Sequence, residues 1–300
     1  MKMRLISLVG EQPIPNLIPL WQHPERYSSV LFCMTTETMN QFELLKQTIQ
    51  SDARLSHITV EDPAALNAYQ IQSAAQKISA MVDQNPKAAI MLNLTGGTKL
   101  MSIAGFNACL QRGLPFLYVS TQEGAIIEHD SSGAETSKEP IQVNVSVAQY
   151  LAAHGLEMYS PHPYSDLEPP KAGDELETLV YETALSSGKF DDVQRNVHIR
   201  RPGRVNDVKN ELDVVFTRNG VMVVCSCKSG KRITKEMLYE LSSLSRRESA
   251  GIYCRKIFIC QSADLDQSIK DRAKESGIRL IYGTALQNQL SDKLYAAIHY

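Results

Sequence analysis

The sequence predicts two α/β domains of different topology. Three observations predict it. The chain has 300 residues, enough for two compact domains at roughly 150 residues each. Its first half alternates short apolar runs with helical patterns. Its second half, beyond a proline-rich interruption, runs helix first and then three consecutive strands. With 43% hydrophobic and 21% charged residues, both halves can bury a core.

In the first half, Arg4–Val9, Val30–Met34, His57–Val60, Ala88–Leu94 and Phe116–Ser120 read as strands. Ala125–Glu128 reads as a hairpin partner to the last of these. Thr38–Ile49, Ala64–Val82 and Gly97–Arg112 carry helical spacing, and Gly113 closes the third helix as a C′ glycine. Repeated strand–helix–strand units imply a Rossmann-like, mostly parallel sheet with helices on both faces. Residues 145–155 form a short helix ending at Gly155.

Tyr159–Pro170 then places four prolines in twelve residues. Each fixes φ and removes a donor, so the segment reads as a semi-rigid linker. The expected division is residues 1–158, a linker at 159–172, and a second domain at 173–300. There, Asp174–Leu185 is a helix and Val193–Ile199 a strand. Glu211–Arg218 and Val221–Lys228 are strands joined at Asn219-Gly220, a hairpin signal. Thr234–Arg247, Lys256–Cys260, Leu265–Ser276 and Arg279–Tyr282 read as helix, strand, helix and strand, with Gly277 after the second helix.

A net charge of −2 excludes a globally basic nucleic-acid binder, so a phosphate-binding surface must be local. The six cysteines show no paired zinc spacing. The apolar start is too short for a signal sequence, and no run approaches the roughly 18 apolar residues of a membrane span. The expectation is a reduced, cytoplasmic protein with no membrane partner.

Asn93-Leu-Thr-Gly-Gly-Thr-Lys-Leu-Met101 lies between a buried strand and a helix. Gly96 and Gly97 allow close backbone approach and positive φ. The helix N-terminus offers free N–H groups and the positive end of a dipole. Thr95 and Thr98 add hydroxyls and Lys99 a charge. The spacing is not that of a Walker A loop, so ATP hydrolysis is not implied. The alternative is a glycine-rich turn without a ligand. Gly10-Glu11-Gln12-Pro13-Ile14-Pro15-Asn16 follows the first strand, and Met34-Thr35-Thr36-Glu37-Thr38 the second. The first could equally be a rigid proline turn, and Thr36 or Thr38 an N-cap. Together with Asn93, these loops offer amides, hydroxyls and a lysine at the carboxyl ends of strands, which suits a polyanionic nucleotide.

The two motifs resemble the CARF (CRISPR-associated Rossmann-fold) sensor domain, and the whole chain resembles the CARF-plus-nuclease effectors of type III CRISPR antiviral defence. The resemblance implies a homodimer with a cyclic oligoadenylate, usually the tetra-adenylate, across its two-fold axis, each protomer reading half of the ring. It makes Gln12, Asn16, Thr95, Gly96, Gly97, Thr98 and Lys99 ligand contacts, flanked by Gly10, Glu11, Pro13, Thr35, Thr36 and Asn93.

In the second half, Glu211 and Asp213 share one face of a strand, as do Ser226 and Lys228 of the next. Glu177 stands one turn into the preceding helix. Phosphodiester hydrolysis needs a metal held by carboxylates, an activated water, and a charge facing the developing oxyanion. Asp213 would hold the metal, Glu177 complete its shell, and Lys228 stabilise the transition state. Cys225 and Cys227 fall on the opposite face and read as core.

The pattern resembles the PD-(D/E)xK nucleases, which implies a restriction-endonuclease-like fold, magnesium or manganese, and a single-stranded RNA or DNA, or nicked duplex, substrate. The last element of related effectors reads Glu-Cys-Lys; here it reads Ser226-Cys227-Lys228. Three explanations stand: a chain inactivated by substitution, a variant in which Glu211 or Glu177 takes over the metal, or a domain that binds nucleic acid without cutting it.

Arg195, Arg200, Arg201, Arg204, Lys209, Lys231, Arg232 and Lys235 gather around this pattern. They read equally as phosphate contacts or as a solvated loop. The seven histidines show no metal or triad spacing, and none is assigned a role. A third activity, slow opening of the ring by the sensor itself, finds no obvious base in the motif loops.

Overall fold

A computed structural model describes residues 2–84, 88–159, 174–202, 210–230, 232–244, 250–284 and 286–298. The chain separates into two compact units, Met1–Val143 and Asn144–Tyr300. The division falls before the boundary expected at 158. Of the proline-rich segment, all but Tyr159 lies outside the described residues.

The first unit contains β1 (Met3–Leu8), α1 (Ile14–Gln22), β2 (Tyr27–Met34), α2 (Met39–Ser51), β3 (Thr59–Val60), β4 (Ala64–Ala65), α3 (Ile71–Asp83), β5 (Ala89–Asn93), α4 (Lys99–Arg112), β6 (Phe116–Ser120), β7 (Ala125–His129) and β8 (Glu135–Pro140). The sheet order is β3-β2-β1-β5-β6-β7-β8, with β4 beside β2. Every pair from β3 to β6 is parallel, and β6-β7-β8 is an antiparallel meander. This is the mostly parallel sheet the apolar runs predict. The central strands are buried nearly end to end, as strands covered on both faces must be.

Three elements differ from expectation. The loop expected after β1 runs only from Val9 to Pro13, and from Ile14 onward the segment is a helix, α1. Pro15 sits in its first turn, where a missing N–H costs nothing. The helix expected from Ala64 begins only at Ile71, because Ala64–Ala65 pairs with Cys33–Met34 as a short strand. β8 is almost wholly exposed and carries no apolar alternation, so only its pairing with β7 defines it.

The second unit contains α5 (Val147–Ala153), β9 (Glu157–Met158), α6 (Asp174–Ser186), β10 (Asp192–Arg200), β11 (Asn210–Arg218), β12 (Val221–Lys228), α7 (Lys235–Leu244), β13 (Cys254–Cys260), α8 (Gln267–Glu275), β14 (Ile278–Tyr282) and α9 (Leu290–Ala296). The sheet order is β14-β13-β12-β11-β10-β9. β9 to β12 are antiparallel, and β12-β13-β14 parallel. Asn219 and Gly220 both have positive φ, 51° and 76°, as the tight hairpin turn requires. α6 and α9 cover one face with Leu176, Val180, Leu290 and Leu294 against Val214, Phe216, Val223 and Cys225.

Each unit holds its own end of the connection between them. In the first, Ile141 N–H donates to Gly124 O at 2.7 Å and Gln142 N–H to Gln22 Oε1 at 2.8 Å. In the second, Thr217 Oγ1 donates to Val145 O at 2.5 Å and Val147 N–H to Asp192 Oδ2 at 2.8 Å. Among the described residues, no helix is long and apolar enough to cross a membrane.

Candidate functional sites

The loops after β1 and β5 meet through glycine. A Cβ on Gly96 would stand 2.0 Å from Leu8 O, and one on Gly10 would stand 2.9 Å from Gly97 N. Both obstacles are backbone, so neither position has room for a side chain. Gly97 has φ +76°, a conformation L side chains rarely adopt.

Pro19 shapes the same junction. Lying inside α1, it has no N–H to give the carbonyl four residues back. That carbonyl, Pro15 O, instead accepts from Asn93 Nδ2 at 3.0 Å. Asn93 Oδ1 accepts from Thr95 N–H at 3.1 Å and Thr95 Oγ1 at 2.7 Å, and Thr95 Oγ1 accepts from Val119 N–H at 2.8 Å. Asn16, fully buried in α1, donates to Ser7 Oγ and Leu8 O, both at 2.8 Å. Its Oδ1 is a buried acceptor with no partner. Asn16, Asn93 and Thr95 therefore tie α1, β5 and β6 together from within.

Thr98 caps α4, accepting from Met101 N–H at 3.2 Å and donating to Ala68 O at 2.8 Å. Capping after β2 falls to Thr35 and Thr38, where Thr35 N–H donates to Thr38 Oγ1 at 2.9 Å. Pro13 and Thr35 are buried; Glu11, Thr36 and Lys99 are exposed; Gly10, Gln12, Gly96 and Gly97 are half-buried. Besides Glu11, Gln12 and Thr36, the groups that stay accessible at these loops are the Gly96–Gly97 backbone, the N-terminus of α4 and Lys99, a setting of the kind that can accept an anion.

In the second unit, Asp213 occupies the middle of a three-strand row. The β10–β11 ladder joins Arg195 to Val214 and Val197 to Leu212, skipping the intervening Asn196 and Asp213. The β11–β12 ladder ends at Val214 and Cys225, one position before Asp213 and Ser226. Asp213 Oδ2 accepts from Cys227 N–H at 2.7 Å and lies 3.5 Å from both Ser226 Oγ and Lys228 Nζ. Asp213, Ser226 and Lys228 therefore converge. Glu211 is exposed on β11.

Glu177, half-buried on α6, lies within electrostatic reach of Cys227. Burial first, then Cys225, Asp213 and Glu177, push the Cys227 thiol well above its ordinary value. Cys225 and Cys227 are packed in the core. Arg204, Lys209 and Lys231 lie outside the described residues. Arg195 donates to Thr178 Oγ1 at 2.9 Å, and Arg200 pairs with Glu157.

Both halves match known families in this order. Residues 5–150 match the Card1 CARF domain, and residues 171–297 the Card1-like endonuclease domain. The chain belongs to the Card1-like CARF–endonuclease family. Its fold is also that of Can2 from Sulfobacillus thermosulfidooxidans, solved with cyclic tetra-adenylate, at 21% identity and a TM-score of 0.79, covering 99% of each chain. Protein VC1899 from Vibrio cholerae is similar at 16% identity and a TM-score of 0.82, covering 98% of this chain and 97% of that one. A type III CRISPR defence DNA nuclease activated by cyclic oligoadenylate is similar at 14% identity and a TM-score of 0.63, with 98% of this chain spanning 52% of its length. At these identities the likeness is one of fold. No curated protein sequence matches the chain.

The endonuclease half of the family implies a divalent metal. Here Asp213 is engaged by Cys227 N–H and faces Lys228, while Ser226 offers a neutral hydroxyl. Among the described residues, no three His, Cys, Asp or Glu side chains converge to hold an ion. The side chains as placed do not fit a three-ligand metal site. Two further polar residues stand on this face of the sheet. Asn196, with φ +52°, is opposite Asp213, and His198 is the register partner of Glu211. Only the strand register brings them there, and the sequence shows no spacing that would have found them.

Proposed function

We propose that the chain is a nuclease of type III CRISPR defence, switched by a cyclic oligoadenylate at the first unit and acting on nucleic acid at the second. The observation that carries this reading is the convergence of Asp213, Ser226 and Lys228 where the β11–β12 ladder has ended and the β10–β11 ladder skips one pair. A carboxylate and an ammonium held together beside the end of β12 suit a phosphodiester. Lys228 faces the negative oxygens, and Asp213 holds the Cys227 backbone and the lysine in place. At the first unit, the exposed α4 N-terminus and Lys99 suit the phosphates of a ring read by two protomers. Glu177 and Asp213 are the carboxylates nearest to a metal role, with manganese or magnesium as the ion the lineage implies.

Ser226 favours a second reading, a unit that grips nucleic acid and cuts it poorly or not at all. A neutral hydroxyl is a weak ligand for a hard cation beside a carboxylate.

One assay separates the two. Cleavage of labelled RNA and DNA is followed with manganese, with and without cyclic tetra-adenylate, for the chain and for Ser226→Glu. The nuclease reading expects activator-dependent cleavage, faster in Ser226→Glu and abolished by Asp213→Asn. Lys228→Ala should cut the rate by about two to three orders of magnitude, as for other oxyanion donors. Binding without cleavage in both forms establishes the second reading.

A further inference from the structure

We propose that Asn196 and His198 of β10 are substrate-binding residues of the nuclease unit, contacting the phosphodiester backbone of a single nucleic-acid strand that crosses β10, β11 and β12. The proposal rests on the nuclease reading of Asp213 and Lys228 and extends that site by one strand.

The first argument is burial. Along β11 the pattern changes at Asp213. Val214 to Thr217 are buried without interruption, whereas Glu211, Leu212 and Asp213 run exposed, buried, half-buried. β10 shows the same alternation, with Val197 and Ile199 buried and His198 and Arg200 half-buried. Toward this end, among the described residues, one face is buried and the other is partly exposed. Paired residues share a face, so the register sets out the partly exposed side. One row runs Asn196, Asp213, Ser226. The next begins with His198 and Glu211, and Lys228 stands two residues beyond Ser226 on the same side of β12. Neighbouring strands lie about 4.8 Å apart, which places Asn196 and His198 within reach of a strand seated on Asp213 and Lys228.

The second argument is conformation. Asn196 is the only described non-glycine residue besides the hairpin Asn219 with positive φ. Asn219 turns the chain; Asn196 does not. It sits mid-strand, exposed, at the position where the β10–β11 ladder skips a pair. A left-handed residue inside a strand costs free energy, and such departures gather at functional sites. Here the departure coincides with the skipped pair and leaves an exposed amide at that position.

The third argument is chemistry. A face bearing the carboxylates Glu211 and Asp213 would repel a phosphate chain. His198 stands directly opposite Glu211 and Lys228 beside Asp213, so each carboxylate has a donor next to it. The Asn196 amide adds two N–H donors. At the β9 end, the Tyr159 ring lies 5.8 Å from that of His198, with the Arg200 guanidinium 5.4 Å over it. Rings and guanidinium planes beside a phosphate-binding row are the features that hold unpaired bases, which favours a single strand over a duplex.

The test is fluorescence anisotropy on the full-length chain. The probe is a labelled single strand of about 15 nucleotides, as DNA and as RNA, with the same DNA sequence as a duplex. Asn196→Gly keeps the backbone conformation while deleting the amide, and His198→Gln keeps size and polarity while deleting the ring. Each is expected to weaken single-strand binding by about tenfold, the effect of one lost hydrogen bond to a charged group. Unfolding midpoint and cyclic tetra-adenylate binding should be unchanged, as they should in the exposed α8 control Lys274→Gln, which should also bind the strand normally. If Lys228→Ala weakens binding but the β10 variants do not, this proposal fails and the nuclease reading stands. If Lys228→Ala has no effect either, the site itself has been misplaced. An equal loss for the duplex overturns the single-strand assignment.

Discussion

In the first unit most loop hydroxyls are consumed by the fold, whereas in the second the central aspartate is tied to the fold by one short backbone bond and meets its side-chain neighbours only at long range. Thr95, Thr98 and Thr38 each bond inward through the hydroxyl, and Asn16 and Asn93 sit beneath them with their amide N–H groups spent on backbone carbonyls or a hydroxyl. What remains for a ligand is mostly backbone held rigidly by glycine contacts. At the other site, Asp213 sits at a skipped pair of the β10–β11 ladder and just beyond the end of the β11–β12 ladder; it accepts from Cys227 N–H at 2.7 Å, and its contacts to Ser226 and Lys228 are long, at 3.5 Å. A fixed polyanion can be met by a rigid frame. A site that must handle a reacting group keeps side chains uncommitted and tightens when the substrate arrives.

If this contrast is right, substitutions at the first site should act on stability before they act on binding. Gly96→Ala should have the largest effect. Its Cβ would fall 2.0 Å from Leu8 O, and both strands would have to shift. A cost above about 3 kcal/mol is expected, at the upper end for overpacking. Gly113→Ala is the comparison. That glycine has φ +66° with open space around it, so only the left-handed penalty of about 1–2 kcal/mol applies. The single tryptophan, Trp21, is buried in the first unit and reports its unfolding in urea. Equal costs at the two glycines would break the account of the loop junction.

Asn93→Ala comes next. It removes three hydrogen bonds and leaves Pro15 O, which Pro19 already deprives of a helical donor, without a partner. A loss of about 2–3 kcal/mol is expected from one buried group left unsatisfied. Asn93→Asp keeps the acceptor for Thr95 but not the donor to Pro15, so a smaller loss would divide the effect between them.

These predictions rest on features with unequal traces in the sequence. The apolar runs of β1, β2 and β5 and the Gly113 and Asn219-Gly220 signals were legible because buried parallel strands and positive-φ turns constrain residue type directly. α1 was not. Pro13 and Pro15 read as a loop or rigid proline turn, and within the helix Asn93, 74 positions from Pro19, takes the place of the donor that Pro19 lacks. β8 was invisible because a solvated edge strand needs no apolar pattern. Asp213, Ser226 and Lys228 could be named from alternation and a hairpin turn. Asn196 and His198 could not, since their place depends on which residue of β10 lies opposite which of β11.

Acid should strike the first unit through the tryptophan's own partner. Trp21 Nε1 donates to Asp52 Oδ2 at 3.1 Å, and Arg54 bonds both carboxylate oxygens. Burial pushes the Asp52 carboxyl up, but the bonds from Arg54 and Trp21 outweigh it and leave the group below its ordinary value of 3.8. A lowered folded-state value contributes stability that is full above the unfolded value and lost as pH falls through the folded one. Trp21 fluorescence should therefore hold through the ordinary aspartate range and change as pH falls below it, and Asp52→Asn should flatten that response. Asp191 has the opposite sign. Burial raises its carboxyl despite bonds from Asn219 and Arg218. The stability it contributes is full below its ordinary value and lost as pH rises through the folded one, so it gives the second unit no comparable acid sensitivity.

The smallest effects on stability should come from the proposed nuclease site. Ser226 and Lys228 are half-buried at a strand end, and their contacts to Asp213 are at the limit of hydrogen bonding. Lys228→Ala should change the unfolding free energy by less than about 1 kcal/mol, as for an exposed ion pair. Ser226→Glu puts a second carboxylate beside Asp213 and is expected to cost about as little, because Lys228 can shift between the two. Calorimetry of the full-length chain measures both. A large loss in either variant would mean that Asp213 is held by the fold as firmly as Asn93 is, and the contrast between the two sites would disappear. A small loss, together with the rate change expected for Lys228→Ala, would place the role of these residues in chemistry and not in folding.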